Sequence, residues 1–419
     1  MPIIIRQLYS LAIVSYGLLI RLISPFNKKA NLWISGRKDF FKKLELSFKK
    51  NETIIWFHCA SLGEFEQARP LLESLKNQYS GIKILITFFS PSGYEARKNY
   101  KEADYIFYLP LDTKQNAEKF IKIVNPKIVF FIKYEFWFHY LNTLNQKKTP
   151  TFLVSANFRA TQLFFHWYGI SFHRILNLFT HIFVQNKTSL ELLNSININT
   201  ATICGDTRFD RVYTISQEVK KIPLLDAFKQ NCKLFIVGSS WPFDEELLIK
   251  LINEKTFPEN FKIIIVPHEP REKDIQKILK HCQVKTLRFS NANEKNIADS
   301  KVLIIDSIGL LSSLYQYADI AYVGGGFGKG IHNILEPATF GMPIVFGPNY
   351  KKFAEAMDLV KLGGAFSISS YKELKDNISF LLSDDMVIKI ASEISGNYVR
   401  MNKGATEKIT RTLNLQNIN

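Results

Sequence analysis

The stretch GGGFGKGIHNILEPATFGMPIVFGP, residues Gly324–Pro348, best indicates how this chain folds. It follows a short apolar run, Asp319–Val323, and its three consecutive glycines allow the backbone to pass close to a ligand. A helix is predicted to begin at an Asn333 cap, and free amides leading into a helix N-terminus bind phosphate. The alternative is that Glu336 only completes a capping box with Asn333, and the residues alone leave both open. The glycine spacing matches neither the dinucleotide-binding fingerprint nor the P-loop.

The alternation of apolar run, turn and amphipathic helix continues on both sides of this stretch. Strands are predicted in the front half at 54–60, 82–88, 128–132, 151–155, 181–185 and 201–204, and in the back half at 233–237, 262–266, 302–305, 320–323 and 344–346. Apolar runs that alternate with helices favour parallel sheets covered on both faces. Two successive open α/β domains are therefore expected, with a cleft at the carboxyl ends of their strands.

The length of 419 residues also favours two domains. We predict a membrane-associating helix at 1–27, a first Rossmann-like domain at 28–215, a second at 216–385, and a C-terminal helical segment at 386–419 that packs back across the cleft. The polar residues 216–230 are interpreted as the linker. The four cysteines have no C-x-x-C spacing, which indicates thiols in a reducing compartment rather than a zinc site or disulfides.

The charge balance indicates an anionic partner. Lys and Arg outnumber Asp and Glu by 54 to 38, for a net charge of +16, and nucleic acid, acidic lipid and phosphorylated substrates all fit this excess. Basic residues follow the apolar stretch Pro2–Ser24, as in helices that lie on an anionic membrane. Only fourteen residues separate Arg6 from Arg21, fewer than the ~20 needed to cross a bilayer. The alternative is a buried N-terminal helix.

Polar side chains follow the predicted strands of the front half. Ser61 and Glu64 come directly after the first strand, where Glu64 can take a proton from a substrate or only form a capping box with Ser61. Glu135 follows the strand at 128–132, and pairing with Lys133 or Arg159 would explain it equally well. Because parallel strands end at one edge of a sheet, we expect these groups to lie along that edge.

The back half places polar groups in the same way. Gly238-Ser239-Ser240 follows a strand and is expected to bind an anion through backbone amides. His268 follows the next strand and His332 precedes the predicted helix, and two such histidines are as often functional as structural. The sequence has no D-x-D pair, H-E-x-x-H or other metal-spaced cluster. A bound phosphate would therefore be neutralised by basic side chains and helix amides.

Taken together, these motifs resemble the bacterial 3-deoxy-D-manno-octulosonic acid (Kdo) transferases over nearly the whole chain. The matching segments are WFHCASLGE from Trp56, PLD from Pro110, YEFW from Tyr134, SANFR from Ser155, GDTRFD from Gly205, the opening glycine stretch, HNILEP from His332 and FGP from Phe346. The resemblance implies a GT-B fold: an acceptor domain with a membrane-attached start, followed by a donor domain. No cofactor and no metal are expected.

The resemblance also implies roles for individual residues. Glu64 matches the general base, and Glu135 and Arg208 match positions that stabilise the transition state. The CMP of the donor would contact Pro267, His268, Ile308, Gly309, Leu310, Asn333, Ile334, Leu335 and Glu336; Ser61, Ser239 and His332 are additional candidates. Three positions depart from the family pattern: His268 and Leu310 replace Arg and Glu, and Arg208 replaces Lys, which preserves charge but changes hydrogen-bond geometry.

By this resemblance the chain is expected to transfer Kdo from CMP-Kdo to the distal glucosamine of a lipid A precursor, lipid IVA, at the cytoplasmic face of the inner membrane. The expected partners are that glycolipid, CMP-Kdo and anionic membrane lipids. Nucleic acid is not expected, because the basic residues do not interleave with aromatics in the manner of RNA-binding proteins. Two alternatives stay open: a GT-B transferase that uses a UDP-sugar on a membrane glycolipid, and a non-catalytic lipid A binding protein.

Overall fold

The computed structural model describes residues 2–49, 51–254 and 258–413. Two compact units can be recognised: Met1–Arg211 with Lys403–Asn419, and Val212–Asn402. The chain thus leaves the first unit within one helix and returns to it near the C-terminus. The predicted boundary at 215/216 lies four residues beyond the division between the units.

The first unit is built on a parallel sheet of seven strands. In chain order these are β1 (Thr53–Cys59), β2 (Ile82–Phe88), β3 (Tyr105–Tyr108), β4 (Ile128–Ile132), β5 (Thr151–Ala156), β6 (His181–Val184) and β7 (Ala201–Ile203). Their order across the sheet is β3-β2-β1-β4-β5-β6-β7. The reversal of strand order beside β1 makes β1 and β4 neighbours, and ligands of open α/β sheets bind at such a point.

Three helices of this unit precede β1, and the others connect its strands or follow β7. They are α1 (Ile3–Ile23), α2 (Lys28–Ser35), α3 (Phe40–Ser47), α4 (Leu62–Gln78), α5 (Pro91–Arg97), α6 (Lys114–Val124), α7 (Phe138–Gln146), α8 (Ile170–Leu176), α9 (Lys187–Ser195) and α10 (Thr207–Gln217). Short 3-10 turns at Leu163–Phe165 and Trp167–Gly169 precede α8.

The second unit repeats this plan. Its strands are β8 (Lys233–Ser240), β9 (Phe261–Pro267), β10 (Thr286–Arg288), β11 (Val302–Ile304), β12 (Ile320–Val323), β13 (Ile344–Phe346) and β14 (Ala365–Ser367), in the order β10-β11-β9-β8-β12-β13-β14. Its helices are α11 (Pro223–Lys229), α12 (Pro242–Asn253), α13 (Glu272–His281), α14 (Leu311–Leu314), α15 (Leu335–Thr339), α16 (Ala354–Leu362), α17 (Tyr371–Ser383) and α18 (Asp385–Asn402). The last helix, α19 (Ala405–Leu413), belongs to the first unit.

Strand β1 shows why both faces of the sheet are covered. Alternate side chains point to opposite faces of a strand. Ile54 and Trp56 enter one hydrophobic cluster, whereas Ile55, Phe57 and Cys59 enter another on the other face. The continuous apolar run is therefore the pattern of a strand buried between two layers of helices.

Helix α1 is mostly exposed, so the alternative of a buried N-terminal helix is wrong. Gly17 is its one buried residue, and the side that faces the unit repeats every four residues through Ile5, Tyr9 and Ile13. The Tyr9 hydroxyl donates to the buried carboxylate of Asp112 over 2.6 Å. By length and composition α1 is also the one helix of the described residues that is suited to cross a membrane, which corrects the expectation that it is too short.

Several predicted boundaries were wrong. Residues 223–229 of the predicted linker form α11, because Leu225 and Phe228 are buried in the second unit. Three of the four edge strands, β3, β10 and β14, were not predicted; each is three or four residues long. The predicted C-terminal helical segment comprises α18 and α19, and residues 414–419 lie outside the described part of the chain.

Candidate active site

Glu64 lies in the first turn of α4, directly after β1 ends. Its carboxylate accepts a hydrogen bond from the Ser61 hydroxyl, and Ser61 is the N-cap residue of α4. The Ser61 side chain makes no cap bond to the backbone, so the two residues do not form the capping box that their spacing suggested. The side chain of Glu64 is half-buried at the carboxyl edge of the sheet.

Glu135 lies in the loop between β4 and α7 and is held by His58 from the neighbouring strand β1. The Glu135 carboxylate accepts from His58 Nε2 over 3.1 Å and from Trp137 Nε1 over 2.5 Å. Both His58 and Glu135 are buried. The predicted alternative of pairing with Lys133 or Arg159 is therefore wrong, because the partner is a histidine that comes from the adjacent strand.

A chain of hydrogen bonds sets the orientation of His58. Trp56 Nε1 donates to the Thr87 hydroxyl oxygen over 2.7 Å, and Thr87 Oγ1 lies 2.8 Å from His58 Nδ1. Because Thr87 already accepts from Trp56, its own proton is available to His58 Nδ1. With Nδ1 accepting, His58 Nε2 donates to Glu135, and Trp137 Nε1 lies 3.1 Å from the same nitrogen. The network fixes the carboxylate in a buried site at the end of β4.

Arg208 is bound to the carboxylate of Asp206 at the start of α10. Arg208 Nε donates to Asp206 Oδ2 over 2.8 Å, and Gln67 of α4 donates to Asp206 Oδ1 over 3.2 Å. Burial alone would raise the pKa of Asp206, but the charge and hydrogen bonds of Arg208 outweigh it and hold that pKa below its usual value. Gln67 follows Glu64 by three residues, so both lie on one side of α4.

Left-handed backbone marks the carboxyl ends of three strands. Lys133 directly after β4, Ser155 in β5 and Ser239 in β8 have φ of 68°, 55° and 54°. Non-glycine residues in this region are uncommon and cost free energy, and they cluster at functional sites. Both sheets thus have strained backbone at the edge where the candidate residues lie.

The glycine stretch Gly324–Pro348 was predicted to present free backbone amides. In the structure this stretch is instead packed against protein backbone. A Cβ on Gly324 would lie 2.2 Å from the Ser239 carbonyl oxygen, and one on Gly326 would lie 2.6 Å from Gly347 Cα. Gly325 N donates to the buried carboxylate of Asp244 over 3.0 Å. The amides of Gly324, Gly328, Gly330, His332 and Leu335 also donate within the unit.

The helix predicted to begin at an Asn333 cap is shorter than expected. Helix α15 has five residues with Ile334 as its N-cap. Asn333 Oδ1 accepts from Leu335 N over 3.1 Å, and Asn333 Nδ2 donates to Glu336 Oε1 over 3.1 Å. Ser312 Oγ donates to the second oxygen of Glu336 over 2.9 Å. Ser312 follows Leu310 by two residues, so this hydrogen bond joins the segment directly after residues 308–310 to Glu336, and Ile308 is exposed.

His268 and His332 meet in an aromatic stack with Trp241. The two imidazole rings are 4.3 Å apart between centroids, and the Trp241 ring lies 4.8 Å from that of His268. Trp241 Nε1 donates to His332 Nε2 over 2.8 Å, which places the proton of neutral His332 on Nδ1. Burial, together with the nearby His268, lowers the pKa of His332 to about 4. The imidazole of His332 is therefore neutral near pH 7.

The remaining candidates of the second unit lie beside this stack. Gly238, Ser239 and Ser240 are the last residues of β8, not a loop after it, and the Ser240 carbonyl accepts from His268 N over 2.9 Å. Pro267 ends β9. Among the described residues there is no group of three or more His, Cys, Asp or Glu side chains suited to a metal ion.

Sequence reasoning missed several residues of these networks, among them His58, Thr87, Trp241 and Asp244. A histidine inside the apolar run Ile54–Ala60 was the available signal for a buried polar contact, because such a group needs a partner. Trp241 comes directly after the end of β8, a position like that of the recognised candidates. Thr87 and Asp244 have no comparable signal, since their partners come from distant parts of the sequence.

Comparisons with known proteins agree on the family and the fold. A family model described as 3-deoxy-D-manno-octulosonic-acid transferase (kdotransferase) matches residues 35–211. The 3-deoxy-D-manno-octulosonic acid transferase of Aquifex aeolicus is 30% identical over 372 residues, which cover 86% of this chain and 96% of that protein.

Solved structures with low sequence identity share the architecture. A UDP-GlcNAc 2-epimerase from Neisseria meningitidis superposes with a TM-score of 0.59 at 16% identity, covering 86% of this chain and 99% of that one. Acinetobacter baumannii MurG gives a TM-score of 0.55 at 12% identity, covering 86% and 98%. The predicted GT-B class with two Rossmann-like units is therefore confirmed. From the extent of its likeness to the Aquifex aeolicus enzyme, this chain belongs to the family of 3-deoxy-D-manno-octulosonic acid (Kdo) transferases.

Proposed function

We propose that this glycosyltransferase moves Kdo from CMP-Kdo to the distal glucosamine of the tetra-acylated precursor lipid IVA, with inversion at the anomeric carbon. The observation that carries this proposal is the arrangement of the first unit. Glu64 follows β1 and Glu135 follows the adjacent strand β4. Arg208 is linked through Asp206 to Gln67, three residues along α4 from Glu64. A base, a second carboxylate and a cation thus belong to one sheet edge.

In the proposed reaction, Glu64 takes the proton of the acceptor hydroxyl. The hydroxyl oxygen then forms a bond to the anomeric carbon of Kdo from the face opposite the phosphate. The bond between that carbon and the phosphate oxygen breaks, and its electron pair leaves with CMP. Glu135 and Arg208 would stabilise the charges that develop in the transition state. The proton stays on Glu64 until solvent removes it.

The second unit is proposed to bind the donor. CMP would contact Pro267, His268, residues 308–310 and residues 333–336. Ser239 and His332 lie beside Pro267 and His268. Their proximity within the unit supports this assignment. Since His332 is neutral near pH 7, it would act as a hydrogen-bond donor through Nδ1 and not as a cation. We propose that no metal is required; the described residues offer no group of three or more His, Cys, Asp or Glu side chains for one.

We propose that the enzyme lies at the cytoplasmic face of the inner membrane, where it binds its glycolipid acceptor. Helix α1 would attach it to anionic lipids there. The exposed apolar side chains of this helix support attachment. Contacts from Tyr9, Ser10 and Gly17 hold its other side against the first unit. We therefore favour a helix that lies in the membrane interface over one that crosses it.

The decisive experiment measures transfer from CMP-Kdo to lipid IVA in EDTA, with the product identified by mass spectrometry. Wild-type protein should form the Kdo-lipid. Glu64→Ala should lower the rate on the order of 10²–10⁴-fold, since a positioned general base contributes about that much. Glu118→Ala, which removes an exposed carboxylate from α6 of the same unit, is the matched control and should leave the rate unchanged.

Two results would reject the proposal: no product with wild-type protein, or full activity after Glu64→Ala. Thermal shift with CMP and with UDP tests the donor separately. Stabilisation by UDP alone would favour a UDP-sugar transferase. Lipid binding without turnover of any donor would identify a non-catalytic lipid A binding protein.

A further inference from the structure

A group of apolar side chains in the first unit is exposed in a segment that is distant in sequence from the chain's N-terminus. Leu163, Trp167, Tyr168 and Ile170 are 38%, 84%, 57% and 64% exposed, and we name these four residues the aromatic patch. They belong to two 3-10 turns and the first residue of α8. Large apolar side chains exposed together mark a contact with a partner or a membrane.

The aromatic patch is held in a defined shape by its own turns. Phe164, beside it in sequence, is buried against Phe136 with 4.8 Å between ring centroids. Gly169 packs so tightly that a Cβ there would lie 1.7 Å from the Leu163 carbonyl oxygen, and Gly169 N donates to the His166 carbonyl over 2.8 Å. The exposed side chains are therefore presented by packed backbone.

The turns that carry the aromatic patch and helix α1 both contact residues 136–138, at the end of the loop after β4 and the start of α7. Phe136 packs on Phe164, and Phe138, two residues further, packs on Tyr9 of α1 with ring centroids 6.0 Å apart. Glu135 directly precedes this segment. The turns of the aromatic patch and α1 are thus both packed next to the loop that holds a proposed catalytic carboxylate.

The charge around both surfaces suits an anionic membrane. The sequence has no Asp or Glu between Glu135 and Glu191, and none before Asp39. Arg159 and Arg174 flank the aromatic patch, and both are exposed. Trp and Tyr favour the membrane interface, and nearby basic residues are attracted to anionic headgroups. A soluble protein partner would not require acidic residues to be absent from both segments.

We infer that the aromatic patch is a second membrane-contact element, which inserts Trp167, Tyr168 and Ile170 into the interface of an anionic bilayer. Contact at two places would orient the first unit, because a single helix allows rotation about its axis. The loop with Glu135 would then face the lipid surface. This inference rests on the proposed membrane attachment, but its test measures lipid binding without turnover, so it can fail while the proposed transferase activity stands.

The first experiment measures insertion of Trp167 in the full chain. Tryptophan fluorescence is recorded with vesicles of phosphatidylglycerol and phosphatidylcholine that carry brominated acyl chains, which quench an inserted indole. Wild-type protein should be quenched, and Trp167→Phe should lose that quenching. Trp241→Phe is the control because Trp241 belongs to the second unit, and it should retain it. Equal quenching of wild type and Trp167→Phe would overturn the inference.

The second experiment measures affinity by co-sedimentation with the same lipids without bromine. Replacing Trp167, Tyr168 and Ile170 by Ser should weaken binding by about tenfold or more, with α1 intact. Met401→Ser removes an apolar side chain that is equally exposed, at 84%, from the second unit and should have no effect. Arg159→Glu with Arg174→Glu should weaken binding to anionic vesicles only. If the triple Ser variant binds vesicles as wild type does, the inference is contradicted. This holds even if that variant loses association with another protein.

Discussion

His58 is the central residue of the candidate site in the first unit, and it lies within the apolar strand β1. It is fully buried between Thr87 and Glu135, so both of its ring nitrogens are satisfied by protein groups. A buried carboxylate without a donor is costly, because desolvation is not compensated. His58 therefore serves as a positioning residue for Glu135.

Replacing His58 should destabilise the first unit. His58→Phe preserves ring volume but removes one of the two donors to Glu135 and a partner of Thr87, and we expect a loss of about 2–4 kcal/mol in the free energy of unfolding. Urea denaturation followed by tryptophan fluorescence measures this, since Trp56 and Trp137 contact the network. His281→Phe, at an exposed histidine, should change stability by less than about 0.5 kcal/mol. Equal midpoints for both variants would contradict the account.

His332 should make the stability of the second unit depend on pH. Its pKa is lowered from 6.5 to about 4 in the folded chain, so between these values the unfolded chain binds more protons. The contribution of His332 is thus present above pH 6.5 and is lost as the pH falls towards 4. Because the ring is partly exposed, screening reduces the loss to the order of 1 kcal/mol.

The measurement compares unfolding of wild type and His332→Gln between pH 7 and pH 4.5. Wild type should lose more stability over this range than the variant, which has no imidazole to titrate at that position. Parallel loss in both proteins would show that other groups account for the pH dependence.

Among the elements, the glycine stretch after β12 shows how packing determines a loop. Gly326 is buried against Gly347, which follows β13, so the loops after two neighbouring strands touch backbone to backbone. Asp244 from α12 accepts from Gly325 N, Trp241 N and the Tyr322 hydroxyl. These contacts hold the loop in place on two sides. Asn333 and Glu336, which follow it, therefore have fixed positions at the edge of the sheet.

Adding one methyl group to this loop should destabilise the second unit. In Gly326→Ala the Cβ would lie 2.6 Å from backbone atoms of Gly347, so the loops must separate, at a cost of about 1–3 kcal/mol or more. Gly328→Ala is the matched control, because the nearest atom to its Cβ is 3.5 Å away and Gly328 is exposed. Thermal unfolding distinguishes them, and a melting temperature for Gly326→Ala equal to that of the control contradicts this explanation.

At the scale of the whole molecule, each unit folds around its own sheet, and an apolar helix is added to the first. One side of α1 is fastened by Tyr9 to Asp112, and the opposite side exposes leucines along its length. Such a distribution is typical of a helix between a protein surface and a lipid phase. The basic excess of the chain would strengthen attachment to anionic lipids.

Polar substitutions on the exposed side of α1 should reduce membrane binding without affecting folding. Leu8, Leu11 and Leu22 changed to Ser should weaken binding to phosphatidylglycerol vesicles by about a hundredfold or more, since each buries apolar area only in lipid. Leu46→Ser, at an exposed leucine of α3, is the control and should bind as wild type does. Unaltered binding of the triple variant, with unfolding also unaltered, would show that α1 is not the attachment site.

The sequence by itself determined the two parallel sheets, because alternation of apolar runs and amphipathic helices has no other simple packing solution. Its motifs also identified the family, and the carboxyl-edge positions of Glu64, Glu135 and Arg208 followed from strand order. Only the tertiary structure decided the partners of these groups. His58 reaches Glu135 from a neighbouring strand, and Trp241 stacks on His268 and His332. Such contacts join residues far apart in the chain, and no local pattern encodes which distant side chain will meet a buried polar group.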